Sequence, residues 1–475
     1  MTGPAIGEPD PDRAGPSRIG AGDTGGILVL LALGLIFRLI IAYLLPGSGF
    51  SNDIQAFRFW ADQLADHGAS GFYSRGFFID YSPGYLYVLW AVGIVGNAVG
   101  GVGDLIKIPP ILADLALAYV VWSMIRELGG GERVARVGAA IIVFNPITWI
   151  DSVVWGQVDS VGVVVLLLAV RELWRDRPER AATLAALAAI IKPQLGILIP
   201  IVAVIVIRRA FWPRGGQGVE DTPAVGASMT GWERRTRGPL RVLTTALAGL
   251  LTLVLLSLPF GLTLPGLAAQ VVKAAAGYPY LSVNAFNPWA LVTQESPDGR
   301  QDSLAIDRAW LCDSTIVAAP AKEFRIGPIV IPEWSIPATT SNLCPTAVQI
   351  GAFPAGLVGV VLFLLAAALA LWLIARRPDR VTVLVGVAVL ALAFFVLPTR
   401  VHERYLYPLV AVGAILAAVS FRWRIAYVVS GAAMFANMYV ILTTWYPNNP
   451  NIHDWLGIGP TLASFWAIAV ASLAQ

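Results

Sequence analysis

The chain has 475 residues, 57% of them hydrophobic and only 13% charged, with a mean hydropathy of +0.70 and a net charge of +3. Soluble domains carry roughly 25% charged residues. The composition therefore excludes a soluble enzyme held by a single anchor and points to an integral membrane protein, and no nucleic-acid partner is expected.

Residues 1–26 are rich in Gly, Pro, Asp and Arg without an apolar core, and read as a disordered cytoplasmic tail. The run 27–46 is too long for a signal peptide and lacks a small-residue cleavage site, so it reads as a retained first helix. Directly behind it stands Asp53, in Phe50-Ser51-Asn52-Asp53-Ile54-Gln55-Ala56-Phe57. A carboxylate at the mouth of a membrane helix is costly to keep there without a use. Next comes Asp80-Tyr81-Ser82-Pro83-Gly84-Tyr85, which opens the segment 83–104. That segment is apolar enough to span, but it begins Pro-Gly and ends rich in glycine. Counted as a span, it would put Arg126, Arg133 and Arg136 on the side of Asp53, against the rule that basic loops stay inside. Left in the outer interface, it brings every later loop into step.

Runs of about 20 apolar residues suffice to cross a bilayer. Further spans are expected near 108–125, 134–152, 158–170, 181–192, 193–207, 242–262, 350–375, 381–398, 405–421, 425–444 and 456–474. The result is an all-α polytopic protein of about 12 spans with both termini inside, its transmembrane domain covering 27–475. Inner segments then hold 21 of the 33 basic residues, and the bias is sharpest in short loops such as Arg376-Arg377-Pro378-Asp379-Arg380. The long loops are a first outer one at 46–107, a basic cytoplasmic one at 208–241 and a large outer one at 263–349. The last carries Cys312 and Cys344, compatible with a disulfide in an oxidising compartment.

This parity collects the polar clusters on the outer face. They are Asp53; Asp80; Trp155, Gln157 and Asp159 in Trp155-Gly156-Gln157-Val158-Asp159-Ser160; Lys192 and Gln194 around Pro193; Asn284, Asn287 and Trp289 in Asn284-Ala285-Phe286-Asn287-Pro288-Trp289; and His402-Glu403-Arg404-Tyr405. Each has a plainer reading. Asp53 and Asp80 could be solvated loop acids, Lys192 a snorkelling lysine, and Trp155 and Trp289 interfacial aromatics. Glu403 and Arg404 could pair with each other as a cap on a helix starting at Tyr405. The functional reading places Asp53 and Asp80 in the catalytic set, with Asp53 as base toward an acceptor hydroxyl. Lys192, His402 and Arg404 become a clamp for phosphate, and the remaining residues substrate contacts. No His or Cys spacing suggests a protein-held metal; a divalent cation would need phosphate oxygens to complete its shell.

An acid, phosphate-seeking cations and an apolar groove together suit glycosyl transfer from a lipid-linked phosphosugar, by one in-line displacement with inversion. A polytopic transporter or lipid flippase for a glycolipid, or a non-catalytic assembly partner, remains an alternative at this stage. The same ordered motifs resemble bacterial GT-C glycosyltransferases related to the second GPI mannosyltransferase, over about 27–445. The resemblance implies a GT-C transmembrane helix bundle with juxtamembrane helices in the first outer loop. It also implies a polyprenyl-phosphate sugar donor, mannose as the favoured sugar, and an acidic base in that loop, here Asp53. Asp80 falls on the Asp of the family's Asp-Tyr-Pro-Pro-type motif, with Ser82 where proline is common. The setting implied is the bacterial plasma membrane, with the site extracytoplasmic and a glycolipid, polysaccharide or protein as acceptor.

Overall fold

The computed structural model describes residues 21–212, 238–316, 324–326, 329–331 and 344–475. Most of the tail expected at 1–26, and 213–237 of the basic loop, lie outside the described residues. The helices in chain order are α1 Ala21–Leu44, α2 Ser51–His67, α3 Pro83–Val99, α4 Ile108–Glu127, α5 Glu132–Phe144, α6 Pro146–Trp149, α7 Asp159–Trp174, α8 Pro178–Ile191, α9 Leu198–Phe211, α10 Pro239–Ser257, α11 Leu264–Ala276, α12 Leu304–Asp307, α13 Ala355–Arg376, α14 Arg380–Val396, α15 Pro408–Val419, α16 Phe421–Val440, α17 Gly459–Leu462 and α18 Phe465–Ala474. Among the described residues three two-stranded hairpins lie between Gln294 and Pro354.

Helix starts follow the local chemistry. Proline, which needs no N–H partner in a first turn, opens α3, α8, α10 and α15. Asn145, Thr263, Asp379 and Ser464 accept capping bonds from the following turn. Helix α1 begins at Ala21 rather than near residue 27, so the expected tail is six residues shorter (27 − 21).

Among the described residues seven helical stretches are long and apolar enough to cross a membrane: Gly25–Leu44, Gly103–Glu127, Glu132–Trp155, Pro193–Phe211, Pro239–Phe260, Ala355–Arg376 and Phe421–Trp445. The sequence expects about 12. Helices α7, α8, α14, α15 and α18 are shorter; α8 ends at the Lys192-Pro193-Gln194 turn, and α15 starts only after His402-Glu403-Arg404. Helix α7 packs along α4 and α8, α8 along α10, and α15 along α5, α14 and α16.

The arginines gather at one end of this bundle. Arg171 and Arg175 pair with Glu127, Arg126 and Arg136 with Glu132, and Arg209 and Arg241 with Asp176. Arg380 reaches the Glu127 carbonyl. Helices α2 and α3 belong to the opposite end. Just before α3, Tyr81 bonds to Gln157; just after it, Asp104 and Lys107 bond to Gly47 and Ser48 at the end of α1. Both flanks of α3 thus meet the same end of the bundle, and α3 packs against α2. Only glycine fits at Gly93, where a Cβ would stand 2.1 Å from the Ala61 carbonyl oxygen of α2.

Candidate functional site

The site is built where several helices lose their regular winding. After α6 the chain forms a π-helical turn, Ile150–Trp155, and stops at Gly156, whose φ of 80° favours glycine. π turns recur at functional positions because they redirect side chains. Here the turn and its exit carry Trp155, Gln157 and Asp159 side by side. Phe50 donates its N–H to the Trp155 carbonyl at 3.2 Å and stacks on the indole, which fixes the start of α2 and so places Asp53.

Asp53 Oδ2 accepts from Trp155 Nε1 at 3.1 Å and from Gln157 Nε2 at 2.5 Å, with Arg404 Nη2 3.7 Å away. Among the described residues Oδ1 has no protein partner. Tyr81 donates to Gln157 Oε1 at 3.3 Å, so the amide that grips Asp53 is itself oriented. Beneath lies a buried ionic layer. Lys192 Nζ donates to Asp159 Oδ1 at 2.6 Å, with the two side chains 7% and 4% exposed. Arg404 lies over the Trp155 ring at 4.6 Å, pairs with Glu403 and stands 3.7 Å from Asp159 Oδ2. Its Nε has no hydrogen bond among the described residues.

The rim is half-buried. Tyr278 donates to Asp80 Oδ2 at 3.5 Å, and its ring meets His402 edge-on at 4.9 Å; His402 also packs on Tyr405 at 5.1 Å. Burial, and then the neighbouring charge of Asp53, push Asp80 up to about 6, against the opposing pull of the Tyr278 bond and Arg404. Burial, then Arg404 and Lys192, push His402 down to about 3. His402 is therefore neutral at physiological pH and brings a donor or acceptor to the site, not the positive charge a phosphate clamp would take from an imidazolium.

Asp53, Asp80, Trp155, Gln157, Asp159, Lys192, His402, Glu403, Arg404 and Tyr405 thus come together, although they span most of the chain. The Glu403–Arg404 pairing weighed as a plain cap does form, but the helix starts only at Pro408. Gln194 is buried in the turn after Lys192. The remaining three serve as supports. Asn284 donates to Tyr446 Oη at 3.2 Å and accepts from Trp310 at 3.3 Å. Asn287 Nδ2 and Trp289 Nε1 donate to the Phe395 and Leu397 carbonyls at 3.0 and 2.9 Å, while the buried Asn287 Oδ1 has no hydrogen-bond partner among the described residues.

Sequence reasoning passed over Tyr278, Asp114 and Asp151. Tyr278 lies in the aromatic stretch Tyr278-Pro279-Tyr280 ahead of the Asn284 cluster. Asp114 and Asp151 are acids inside expected spans, which is itself a signal. Asp114 pairs at 2.8 Å with Arg38 of α1 and accepts from Ser152. Asp151 is wholly buried, and neither of its carboxylate oxygens has a partner among the described residues. Cys312 and Cys344 form a disulfide. Among the described residues no group of three or more His, Cys, Asp and Glu is placed to hold a metal ion.

No family model and no curated protein matches the chain. Among solved structures it is similar to the oligosaccharyltransferase of Archaeoglobus fulgidus, crystallised with a tethered acceptor peptide containing the NVT sequon. The identity is 12% and the TM-score 0.35, and the match covers 94% of this chain and 55% of that one. The chain thus spans about half the length of that protein, and a likeness this distant carries no argument about its chemistry.

Proposed function

We propose that the chain is a GT-C-type membrane glycosyltransferase with about twelve crossings, which moves a sugar from a polyprenyl-phosphate donor to an acceptor hydroxyl on the extracytoplasmic side. Mannose is the favoured sugar, from the motif resemblance. The observation that carries the reading is Asp53, with one carboxylate oxygen gripped by Trp155 and Gln157 and the other without a protein partner, above buried Arg404 and Lys192.

In this mechanism Asp53 Oδ1 takes the proton of the acceptor hydroxyl as that oxygen bonds to the anomeric carbon. The bond from that carbon to the phosphate oxygen breaks on the opposite face, which inverts the configuration. Its electron pair leaves with the lipid phosphate, whose charge grows from one to two. Arg404 and Lys192 stabilise that charge, and the acids around them keep both cations oriented before the donor arrives. His402 adds a neutral hydrogen bond. A divalent cation, if the donor brings one, would share the phosphate oxygens with Asp53 or Asp80.

The transporter alternative draws on the Arg38–Asp114 pair inside the bundle. That pair is closed on itself, however. Arg38 also donates to the Val143 and Gly34 carbonyls and to Thr148, which suits a bolt between α1, α4 and α5 better than a path for cargo. Purified protein in proteoliposomes, offered polyprenyl-phosphate mannose, glucose, galactose or a pentose, should release polyprenyl phosphate from one of them. Asp53→Asn should lower that release about 10²-fold or more with unfolding temperature unchanged. Full transfer in that variant would remove Asp53 from the mechanism. A chelator arm reports whether a cation takes part.

A further inference from the structure

We propose that Asp313, in the large outer loop, is a positioning residue that holds the His402–Arg404 segment in place through Arg400, and is itself anchored by the Cys312–Cys344 disulfide. The proposal rests on the reading of His402–Arg404 as part of the transferase site. Asp313 is wholly buried. Its Oδ2 accepts from Arg400 Nε at 2.7 Å and from Thr399 Oγ1 at 2.6 Å; its Oδ1 accepts from Arg400 Nη2 at 2.9 Å and from Ser314 Oγ at 2.8 Å. A two-pronged guanidinium–carboxylate contact fixes orientation as well as distance.

Arg400 is the point where that orientation matters. Its φ of 64° is a left-handed turn that a residue with a side chain adopts only when something holds it there. His402 follows two residues later and Arg404 four. The turn is also stitched by backbone bonds, Arg400 N–H to the Tyr280 carbonyl at 3.0 Å and Val283 N–H to the Val401 carbonyl at 2.9 Å. Tyr280 and Val283 belong to the stretch that carries Tyr278 against His402. A shift of Arg400 would therefore move both the floor and the rim of the site.

Asp313 has its own anchors. Its N–H donates to the Pro279 carbonyl and its carbonyl accepts from Gly356 at the start of α13, both at 2.9 Å. Its neighbour Cys312 is bonded to Cys344, 32 residues away, and Cys344 pairs with Ile316 through two backbone bonds. The disulfide thus ties both ends of the 312–344 segment together directly beside Asp313.

The test reads His402 directly. The chain has three histidines, and His67 and His453 are exposed and serve as internal references. In Asp313→Asn and in the double variant Cys312→Ser/Cys344→Ser, carbethoxylation of His402, followed by mass spectrometry, should run several-fold faster relative to those two. The transfer kcat should fall on the order of 10-fold or more with the acceptor KM unchanged, and Asp313→Glu should recover part of it. A His402 rate equal to wild type in both variants overturns the proposal, as does a faster rate with kcat untouched. If the variants do not fold, phosphine reduction of the folded wild-type protein reads the same rate. If wild-type protein transfers sugar from none of the donors, the transferase reading fails, while the His402 rate still decides the clamp.

Discussion

Asp53 and Asp80 illustrate how one environment gives two acids different work. Asp53 is supplied with donors on one oxygen. Asp80 is crowded by protein and by the charge of Asp53, and holds its proton to about pH 6. Since a free Asp titrates near 3.9, the folded chain binds this proton more tightly than the unfolded one. The stability this contributes is fully present below about pH 4 and is lost as the pH climbs through 6. Asp80→Asn should therefore unfold at a higher temperature than wild type at pH 7.5, with the gap closing below about pH 4. Ionisation of Asp80 also changes the charge at the rim of the site, so kcat/KM should show a step near pH 6 in wild type and lose it in the variant. Arg404→Lys tests a different property. An ammonium keeps the charge but cannot both stack on Trp155 and reach Glu403, Asp53 and Asp159 with a planar fork. Donor KM should rise and transfer should fall by about 10-fold or more, read in the same release assay.

At the scale of elements, the site depends on helices that stop early or lie sideways. The π turn before Gly156, the second π turn at Ile441–Trp445 beneath Tyr446, and the short turn at Pro193–Ile197 all end apolar helices in irregular backbone that presents polar side chains. Non-helical backbone at such a depth persists only where protein or a polar site satisfies it. Helix α2 carries Asp53 and the stretch leading into α3 carries Asp80, and α3 packs tightly on α2 at Gly93. Gly93→Val would force a side chain into the Ala61 carbonyl. It should cost about 1–3 kcal/mol of stability and reduce transfer, both measurable in detergent. Gly431→Val, in α16 with open space around it, should do neither.

Across the whole molecule, charge is sorted by end. Acids, amides and two buried cations meet at one end, and an arginine–acid network closes the other. Much of this was legible in the sequence, because an acid or lysine interrupting a 20-residue apolar run stands out and the arginines sit in short loops. Pairings across long stretches of chain were not legible. Arg38 finds Asp114 76 residues later and Arg400 finds Asp313 87 residues earlier, and hydrophobic periodicity contains no term for either contact. The same blindness hid Tyr278, whose role exists only because His402 folds beside it. It also concealed that the Asn287 amide N–H and the Trp289 indole N–H bond to the Phe395 and Leu397 carbonyls.

The opposition of the two ends is the claim on which the rest depends, and sidedness measures it. Single cysteines at Gln55, on the exposed face of α2, and at Arg133, at the arginine-rich end, can be challenged in intact cells with a membrane-impermeant maleimide. Both native cysteines are bonded to each other and silent. Gln55→Cys should label at once and Arg133→Cys only after lysis. Labelling of Arg133→Cys in intact cells with Gln55→Cys protected would put the Asp53 site in the cytoplasm and contradict the account.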